Sequence, residues 1–515
     1  MSASLVASDS GSIGMSVSAA LLWALALVLL AGAAAAALSA WRLRRQRKST
    51  QQQGMRRRMS NIGFTTLVTE SETNLSIPVS LLSIAGVVSR EAFVARLNER
   101  IATDPFFRRF RSRVVGAERS FEELEAFDAA DHVRTHVLRA GETPISFTET
   151  LVNTPLDASK PLWEMHLLED PQSAEPVTHV AWKIHHCIGD GASLASALVR
   201  LSDNKAELDD LLAQAKAKAA SKPRAPRKTR AQRARDLAGF LVLCAWSAYV
   251  VVRKLLALVF RPEPATVFKR RGGKAKRLSY NMVYSVAATK AVGKRFGATI
   301  NDVMLACVAG AMRRAMLAQD PAADVAPALT VRAAIPVDMR SAQEVVLQDA
   351  RNKFSALVID LPIGVVAPAA RLRLVTQRMG EAKHSLEKFF TYTTSHVVAQ
   401  LPEWLMRRVV QFTTSKVSVA ISNVRAASFS LGFCGHTLCG FFGFVPPPPS
   451  VNLGIAILSV GDDLGLNVLV DPNVGIDAAQ FLQFAKQEYD ALRAEAEAPA
   501  KPEAAATEAA EKKHQ

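Results

Sequence analysis

Aromatic residues are scarce in this chain of 515 residues, at 7%, and no zinc-finger or RNA-recognition signature accompanies them. A nucleic-acid partner is therefore not expected, although the chain is basic. Cysteine is also sparse. Cys187, Cys244, Cys307, Cys434 and Cys439 are odd in number and include no Cys-x-x-Cys pair. That excludes a disulfide scaffold and fits a reducing compartment. Cys434, His436 and Cys439 match no common zinc spacing and lack a fourth ligand, so no metal is expected. No Gly-x-Ser-x-Gly occurs, which argues against a serine hydrolase built on a nucleophile elbow. Acidic residues are the minority, 47 against 63 Lys and Arg, for a formal charge of +16. Such a balance suggests an anionic partner, either a phospholipid surface or a phosphorylated substrate. The basic residues cluster beside hydrophobic segments, which favours a membrane surface.

The length predicts two domains and a large core. Residues 16–41 carry no charge and are long enough to span a bilayer. RLRRQRK follows at once, so the N-terminus is expected outside and the remainder in the cytosol. A cleaved signal peptide fits less well, because the basic residues lie on the wrong side of the apolar run. A single-pass anchor of this kind points to the endoplasmic reticulum by default. Residues 62–205 and 277–492 read as two mixed α/β regions. The stretch between them, 206–276, combines a basic linker with the apolar run 237–260. Arg253 and Lys254 interrupt that run, so an interfacial or core-buried helix is expected rather than a second span. The tail, 493–515, lacks bulky apolar residues and reads as disordered.

The stretch KIHHCIGDGAS, Lys183–Ser193, places two histidines before an Asp-Gly turn. THVAWKIHH reads as a strand, in which Val180, Trp182, Ile184 and His186 share one face. His185 shares the other with Ala181 and Lys183. The following ASLASALVRL reads as a helix with Leu194, Leu198 and Leu201 on one stripe. Structurally, Asp190 caps that helix, Gly191 permits the turn, and the histidines are polar strand ends. Functionally, a neutral imidazole can take a proton from a hydroxyl near neutral pH. An apolar wall and a helix N-terminus both disfavour its charged form. Such a base needs one ring nitrogen held so that the other faces substrate. Elsewhere, Thr299 and Asp302 form a capping-box pattern that opens a helix with Asn301. Ser422 and Asn423 end the strand KVSVAISN, where they either bind substrate or start a turn. His132 reads as a packed or surface histidine, Trp163 as core or tunnel wall, and the tetraproline 446–449 as a stiff loop.

HHCIGDG matches the HHxxxDG motif of the chloramphenicol acetyltransferase-like superfamily. PLDASKPLWEMHLLED, DHVRTHVL, TINDVMLA, AAIPVDMR, NKFSALVIDLP and SNV follow a further ordered pattern. Together they resemble the bifunctional wax ester synthase/diacylglycerol acyltransferase family over roughly residues 60–490. The resemblance implies two acetyltransferase-like α/β domains with mixed sheets around a central tunnel. It implies transfer of a fatty acyl group from acyl-CoA to a long-chain alcohol or to diacylglycerol, with acyl-CoA as co-substrate and no cofactor. His186 would be the general base, grouped with His185 and with Asp190, for which Arg340 is the candidate salt-bridge partner. Gly191, Asn301, Asp302, Ser422 and Asn423 would contact substrate, and Asn423 is the candidate oxyanion donor. SNVRAAS departs from the family's Ser-Asn-Val-Pro-Gly-Pro, and the N-terminal anchor resembles plant or algal forms. The alternatives are a condensation-type enzyme that uses a carrier-protein thioester and a non-catalytic lipid-binding protein.

Overall fold

The computed structural model of the protein describes residues 56–221, 229–322, 325–340 and 349–498. The anchor expected at 16–41 and the residues beyond 498 lie outside them. Among the described residues sixteen strands follow in chain order. They are β1 (Arg56–Arg58), β2 (Val79–Ala85), β3 (Ser112–Val115), β4 (Ser120–Glu123), β5 (Val133–Val137), β6 (Trp163–Glu169), β7 (Val177–Ile184) and β8 (Arg277–Tyr280). Then come β9 (Tyr284–Ser285), β10 (Val331–Asp338), β11 (Phe354–Leu361), β12 (Val419–Ala427), β13 (Gly432–Phe433), β14 (His436–Phe444), β15 (Leu453–Val460) and β16 (Asp463–Val470). The helices are α1 (Asn61–Val68), α2 (Arg90–Thr103), α3 (Pro144–Val152), α4 (Gly191–Leu201), α5 (Lys205–Ala220) and α6 (Arg230–Phe260). They continue as α7 (Val286–Arg295), α8 (Ile300–Gln319), α9 (Pro368–Lys383), α10 (Glu387–Val398), α11 (Glu403–Ser415) and α12 (Ala478–Glu497).

Two mixed sheets form the frame. The first runs β13-β14-β2-β7-β6-β5, and the second runs β11-β10-β12-β15-β16-β8 with β9 paired to β16. A small third sheet joins β1, β4 and β3. In the second sheet LGIAILSV of β15 is buried almost throughout, as befits a central strand covered on both faces. Burial alternates residue by residue along the edge strand β11. Helix α8 covers this sheet, and a capping box of Thr299 and Asp302 starts it as the sequence predicts.

Three features depart from the expected layout. First, the two α/β regions interlock. Strand β14 comes from the second region yet pairs antiparallel with β2 of the first sheet, from Phe444↔Val79 to Leu438↔Ile84. The driving force is shared apolar burial: Phe442 and Phe444 pack with Leu81, Leu278 and Leu469 from both sheets. The tetraproline then carries the chain from β14 to β15 in the second sheet. Second, helix α12 runs to Glu497, where Arg493 pairs with Glu497 at 2.8 Å, so the tail does not begin at 493. Third, α6 is split in character. Ser247 and Val250–Val252 are buried, and Lys254 and Arg261 bind Glu387 and Asp360 at 2.6 Å each. Its first half stands out from the body, with Leu237, Phe240, Leu241, Val242 and Trp246 all exposed. Among the described residues, α6 alone is long and apolar enough to cross a membrane.

Candidate active site

Strand β7 stops at Ile184, one residue before the histidine pair. The backbone explains why. The His185 N–H donates to the Leu162 carbonyl at 2.9 Å, and the His186 N–H donates to the Ser76 carbonyl at 2.8 Å. The face alternation predicted through His186 therefore ends before the histidines. His185 turns inward and is 2% exposed. Its Nδ1 accepts the Cys187 N–H at 3.0 Å, which puts the ring proton on Nε2. Nε2 lies 3.5 Å from the Glu70 carboxylate, and that carboxylate also accepts the Ser76 N–H. Against burial, Cys187 and Glu70 pull the His185 pKa up, but the Cys187 N–H aimed at Nδ1 occupies the lone pair that a second proton would need, so the neutral Nε2–H ring is the form this geometry holds.

His186 is only partly buried and is the member of the pair open to a substrate. Burial is the main cause that lowers its pKa, and neighbouring His185 adds to it, so the imidazole is held neutral. Asn352 holds the backbone beneath it. Its Nδ2 donates to the carbonyls of His186 and Cys187, at 2.9 and 3.2 Å. Three side-chain atoms of the histidine pair and Asn352 are buried without a hydrogen-bond partner among the described residues: His185 Nε2, His186 Nδ1 and Asn352 Oδ1. The paired carbonyls fix the amide's orientation, because a flipped Asn352 would set oxygen against oxygen. The ring of Phe354 lies 6.1 Å from the imidazole, centre to centre.

Asp190 holds the turn. Its Oδ1 accepts the Ser193 N–H at 3.0 Å and so caps α4, while Oδ2 accepts the Lys353 N–H at 2.8 Å. Arg340 donates to both carboxylate oxygens at 3.0 Å, so the candidate partner is the one found. Arg340 also reaches Ser193 Oγ and the Arg351 carbonyl. With all these bonds, Asp190 acts on segment 351–353 and α4, and its role in this geometry is positioning.

The remaining candidates converge from separate parts of the chain. Strands β10 and β12 pair only at Ala333↔Val419 and Ala334↔Ala420, and then part. The N-terminus of α4 closes on β12 beyond that point. A Cβ on Gly191 would sit 2.8 Å from Val424 Cγ2 and 3.9 Å from Ser422 Oγ, so glycine permits the approach. Asn423 donates from Nδ2 to Asn301 Oδ1 at 3.0 Å, which joins the SNV and ND segments. Ser422 is buried and Asn423 exposed. They do not end the strand: β12 continues to Ala427, pairing Arg425 with Ser459 and Ala427 with Val460 around a bulge. Without Pro-Gly-Pro after SNV, nothing in RAA prevents that pairing. Asp302 closes the capping box and lies 3.6 Å from Lys383, a structural position. His132 is buried, stacks on Trp163 at 4.4 Å and bonds the Trp163 carbonyl. Trp163 itself is core.

Sequence reasoning missed Gly63, Glu70 and Ser76, and did not single out Asn352 within NKFSALVIDLP. A Cβ on Gly63 would meet the Cys187 carbonyl at 2.9 Å and Asn352 Nδ2 at 3.1 Å, so α1 presses directly on the motif. No sequence pattern marks these residues, because their contacts are long-range.

The family model for the wax ester synthase/diacylglycerol acyltransferase catalytic domain matches residues 79–304, and the WS/DGAT C-terminal domain matches 351–493. A probable diacylglycerol O-acyltransferase of Mycobacterium tuberculosis is 25% identical over 79% of this chain and 89% of its own. Wax ester synthase/diacylglycerol acyltransferase 5 of Arabidopsis thaliana is 26% identical over 64% of this chain and 70% of its own. Among solved structures, the wax ester synthase/diacylglycerol acyltransferase of Marinobacter aquaeolei shares the fold. Its TM-score is 0.58 at 18% identity, covering 85% of this chain and 99% of that one. The starter condensation domain of rhizomide synthetase, solved with C8-CoA, shares it at a TM-score of 0.52 and 14% identity, covering 87% and 96%. The histidine motif lies within the matched catalytic domain and Asn352, Ser422 and Asn423 within the matched C-terminal domain, while Arg340 falls between the two, and the chain belongs to the wax ester synthase/diacylglycerol acyltransferase family.

Proposed function

We propose that the chain transfers a fatty acyl group from acyl-CoA to the hydroxyl of a long-chain alcohol or a diacylglycerol, with His186 as general base. The observation that carries this reading is the asymmetry of the histidine pair. His185 has its Nδ1 lone pair occupied by a backbone N–H and its Nε2 proton facing Glu70. His186 is the neutral and partly open ring. In the proposed reaction His186 removes the hydroxyl proton, and the alkoxide oxygen attacks the thioester carbonyl carbon. The tetrahedral intermediate then collapses, the carbon–sulfur bond breaks, and the CoA sulfur takes the proton back from the imidazolium. Asn423, near the mouth of the parted strands, is the proposed oxyanion donor, and Gly191, Asn301 and Ser422 are proposed to line the acceptor path.

We place the enzyme at a membrane, where its apolar acceptors dissolve, with the endoplasmic reticulum as the proposed site and the catalytic body in the cytosol. The outstanding half of α6 supports membrane contact: Phe240, Leu241, Val242 and Trp246 are exposed, next to Arg230, Arg233 and Arg235. The packed second half, ion-paired to the body through Lys254 and Arg261, favours a helix lying at the interface over one that spans.

The test uses membranes from a host deficient in neutral lipid, expressing the chain or its His186→Ala variant at equal level. Labelled palmitoyl-CoA is supplied with hexadecanol or diacylglycerol, and the esters are resolved. Ester from the wild type and at least a hundredfold less from the variant is the expected result, given the about 10²–10⁴-fold contribution of a general base. Equal ester from both would remove His186 from the mechanism. One second reading is transfer from a carrier-protein thioester. Turnover of free acyl-CoA would exclude it.

A further inference from the structure

Helix α11 has two opposite faces. Met406 is fully buried, with its Sδ 3.7 Å from Thr65 Oγ1 of α1, and Val410 packs on the same core. Trp404, Arg408, Gln411 and Phe412 share the other face at helical spacing, and all four are exposed. Trp404 is 68% exposed and Phe412 47%. Arg407 borders them, and the Lys416 ammonium lies 5.3 Å from the centre of the Phe412 ring. Glu403, in the first turn, is the one acid of the helix. The inward side sets this face at the rim of the site. Arg407 donates to the Glu70 carbonyl at 3.4 Å, and the Glu70 carboxylate lies 3.5 Å from His185 Nε2. Gln400, in the turn before α11, donates to Asn61 Oδ1 at 3.4 Å. Helix α10 links the same region to α6. Ser247 of α6 accepts the Leu386 N–H at 2.9 Å, and Phe389, half exposed, follows in the first turn of α10.

A lone exposed apolar side chain needs no explanation, but two aromatic rings set among cations on one helix face do. The mixture selects the occupant. An acidic surface pairs with the arginines and leaves the rings in water, and an apolar surface buries the rings and strands the arginines. An anionic bilayer takes both, with the rings at the acyl boundary and the cations among the phosphates. We propose that the outward face of α11 is a docking surface for an anionic phospholipid bilayer, separate from α6, and that it sets the rim of the site against the membrane. The inference rests on the acyltransferase reading for its purpose: a water-insoluble acceptor then passes from the bilayer to the site without crossing water. It also adds an orientation. Contact through α6 alone would tether the body and leave it free to turn, whereas a second contact through α11 fixes which side faces the lipid.

The experiment places the full chain in phosphatidylcholine vesicles with or without phosphatidylserine, with brominated acyl chains as a quencher of inserted tryptophan. Trp404→Phe keeps a ring on the face, so the difference between its fluorescence and that of the wild type isolates Trp404 among the chain's six tryptophans. That signal should be quenched by brominated lipid and shielded from acrylamide when phosphatidylserine is present. In an Arg407→Gln/Arg408→Gln background the ratio of quenched to unquenched Trp404 should fall about tenfold on those vesicles and change little on neutral ones. The second measurement is transfer from palmitoyl-CoA to hexadecanol carried in the same vesicles. Trp404→Ser/Phe412→Ser should raise the KM for that acceptor about tenfold at unchanged kcat, with an unchanged urea midpoint because both rings are exposed. Trp404 open to acrylamide and untouched by brominated lipid would overturn the assignment. So would quenching indifferent to phosphatidylserine and to both arginines, and so would a KM change accompanied by a lowered urea midpoint, which would mean a structural role. Trp404 shielded without vesicles, in a chain that is dimeric until Trp404→Ser separates it, would give the face to a second copy and overturn the assignment too. If Trp404 docks as expected but no ester forms, the docking surface stands and the acyltransferase reading falls.

Discussion

Arg340→Gln should both destabilise the fold and slow the reaction, and the structure sets the size. The Arg340 side chain is 1% exposed and Asp190 is 6% exposed, with two contacts of 3.0 Å between them. Removing one partner of such a pair costs about 3–5 kcal/mol, because a carboxylate is left buried and unpaired. Asp190 keeps two backbone donors, Ser193 N–H and Lys353 N–H, so the lower end of that range applies. Asp190→Asn should cost a similar amount, since it leaves Arg340 with Asp338 and the Arg351 carbonyl. Once one partner is gone the second substitution removes little more, so the double variant should recover about 2 kcal/mol against the sum. The effect on catalysis is indirect. Segment 351–353 is held by Asp190, and Asn352 within it holds the His186 carbonyl, so kcat should fall about tenfold or more through lost alignment. The assay is urea denaturation of all four proteins, with kcat measured well below the unfolding midpoint. A coupling energy within about 0.5 kcal/mol of zero would refute the reasoning, because independent sites add to that accuracy.

Three further outcomes are expected. Gly63→Ala forces a Cβ to 2.9 Å from the Cys187 carbonyl, whereas Gly116→Ala meets nothing within 4 Å. The first should cost about 1–3 kcal/mol in urea melts and lower kcat, and the second should do neither; equal behaviour would contradict the packing of α1 on the motif. Because burial depresses the His186 pKa, the ring stays neutral below the usual 6.5, and the acid limb of kcat/KM should lie under that value; a limb above it would count against the assignment. Burial lowers Lys183 to about 8, so between pH 8 and 10.5 the unfolded chain binds more protons and stability should rise with pH. Lys183→Met should gain about 1–3 kcal/mol at pH 7 and flatten that rise in thermal melts; a loss at pH 7 would show that the bond to the Pro155 carbonyl dominates.

What was legible in the sequence is local. The cap at Asp190 and the capping box at Thr299 and Asp302 both follow from residues within one element. The Asp190–Arg340 pair spans 150 residues and was legible only through the resemblance, because spacing carries no information over that distance. The register of β14 was not legible at all. HTLCGFFGF fits a strand anywhere, and its place beside β2 is decided by which partner buries Phe442 and Phe444. The end of β12 was misplaced for the opposite reason. The strand was expected to end at Asn423, but β15 offers pairing partners to Ala427, and tertiary pairing overrides that local signal.

At the histidine pair the strand geometry expected from the sequence is not the one the structure has. Alternation along β7 assigned His186 to the apolar face and His185 to the other, but β7 ends at Ile184 and alternation no longer governs either residue. What separates them is their hydrogen bonds. The Ser76 and Leu162 carbonyls draw the two backbone N–H groups to opposite neighbours, and the rings follow. His185 then spends its lone pair on Cys187 N–H and directs its proton to Glu70, which leaves it nothing to accept a substrate proton with. His186 keeps a neutral ring, and its carbonyl is fixed from below by Asn352. In two adjacent residues of the same type, the difference between the enclosed His185 and the open His186, the proposed base, is therefore set by Glu70, Ser76, Leu162 and Asn352, none of which lies in the motif. His185→Asn should test this division. An asparagine oxygen can still accept the Cys187 N–H while the amide faces Glu70, so much of the activity should survive, whereas His185→Leu strands both partners and should cost about 1–3 kcal/mol in stability as well. Loss of activity in His185→Asn as complete as in His186→Ala, with the fold intact, would mean that His185 takes part in the proton transfer itself.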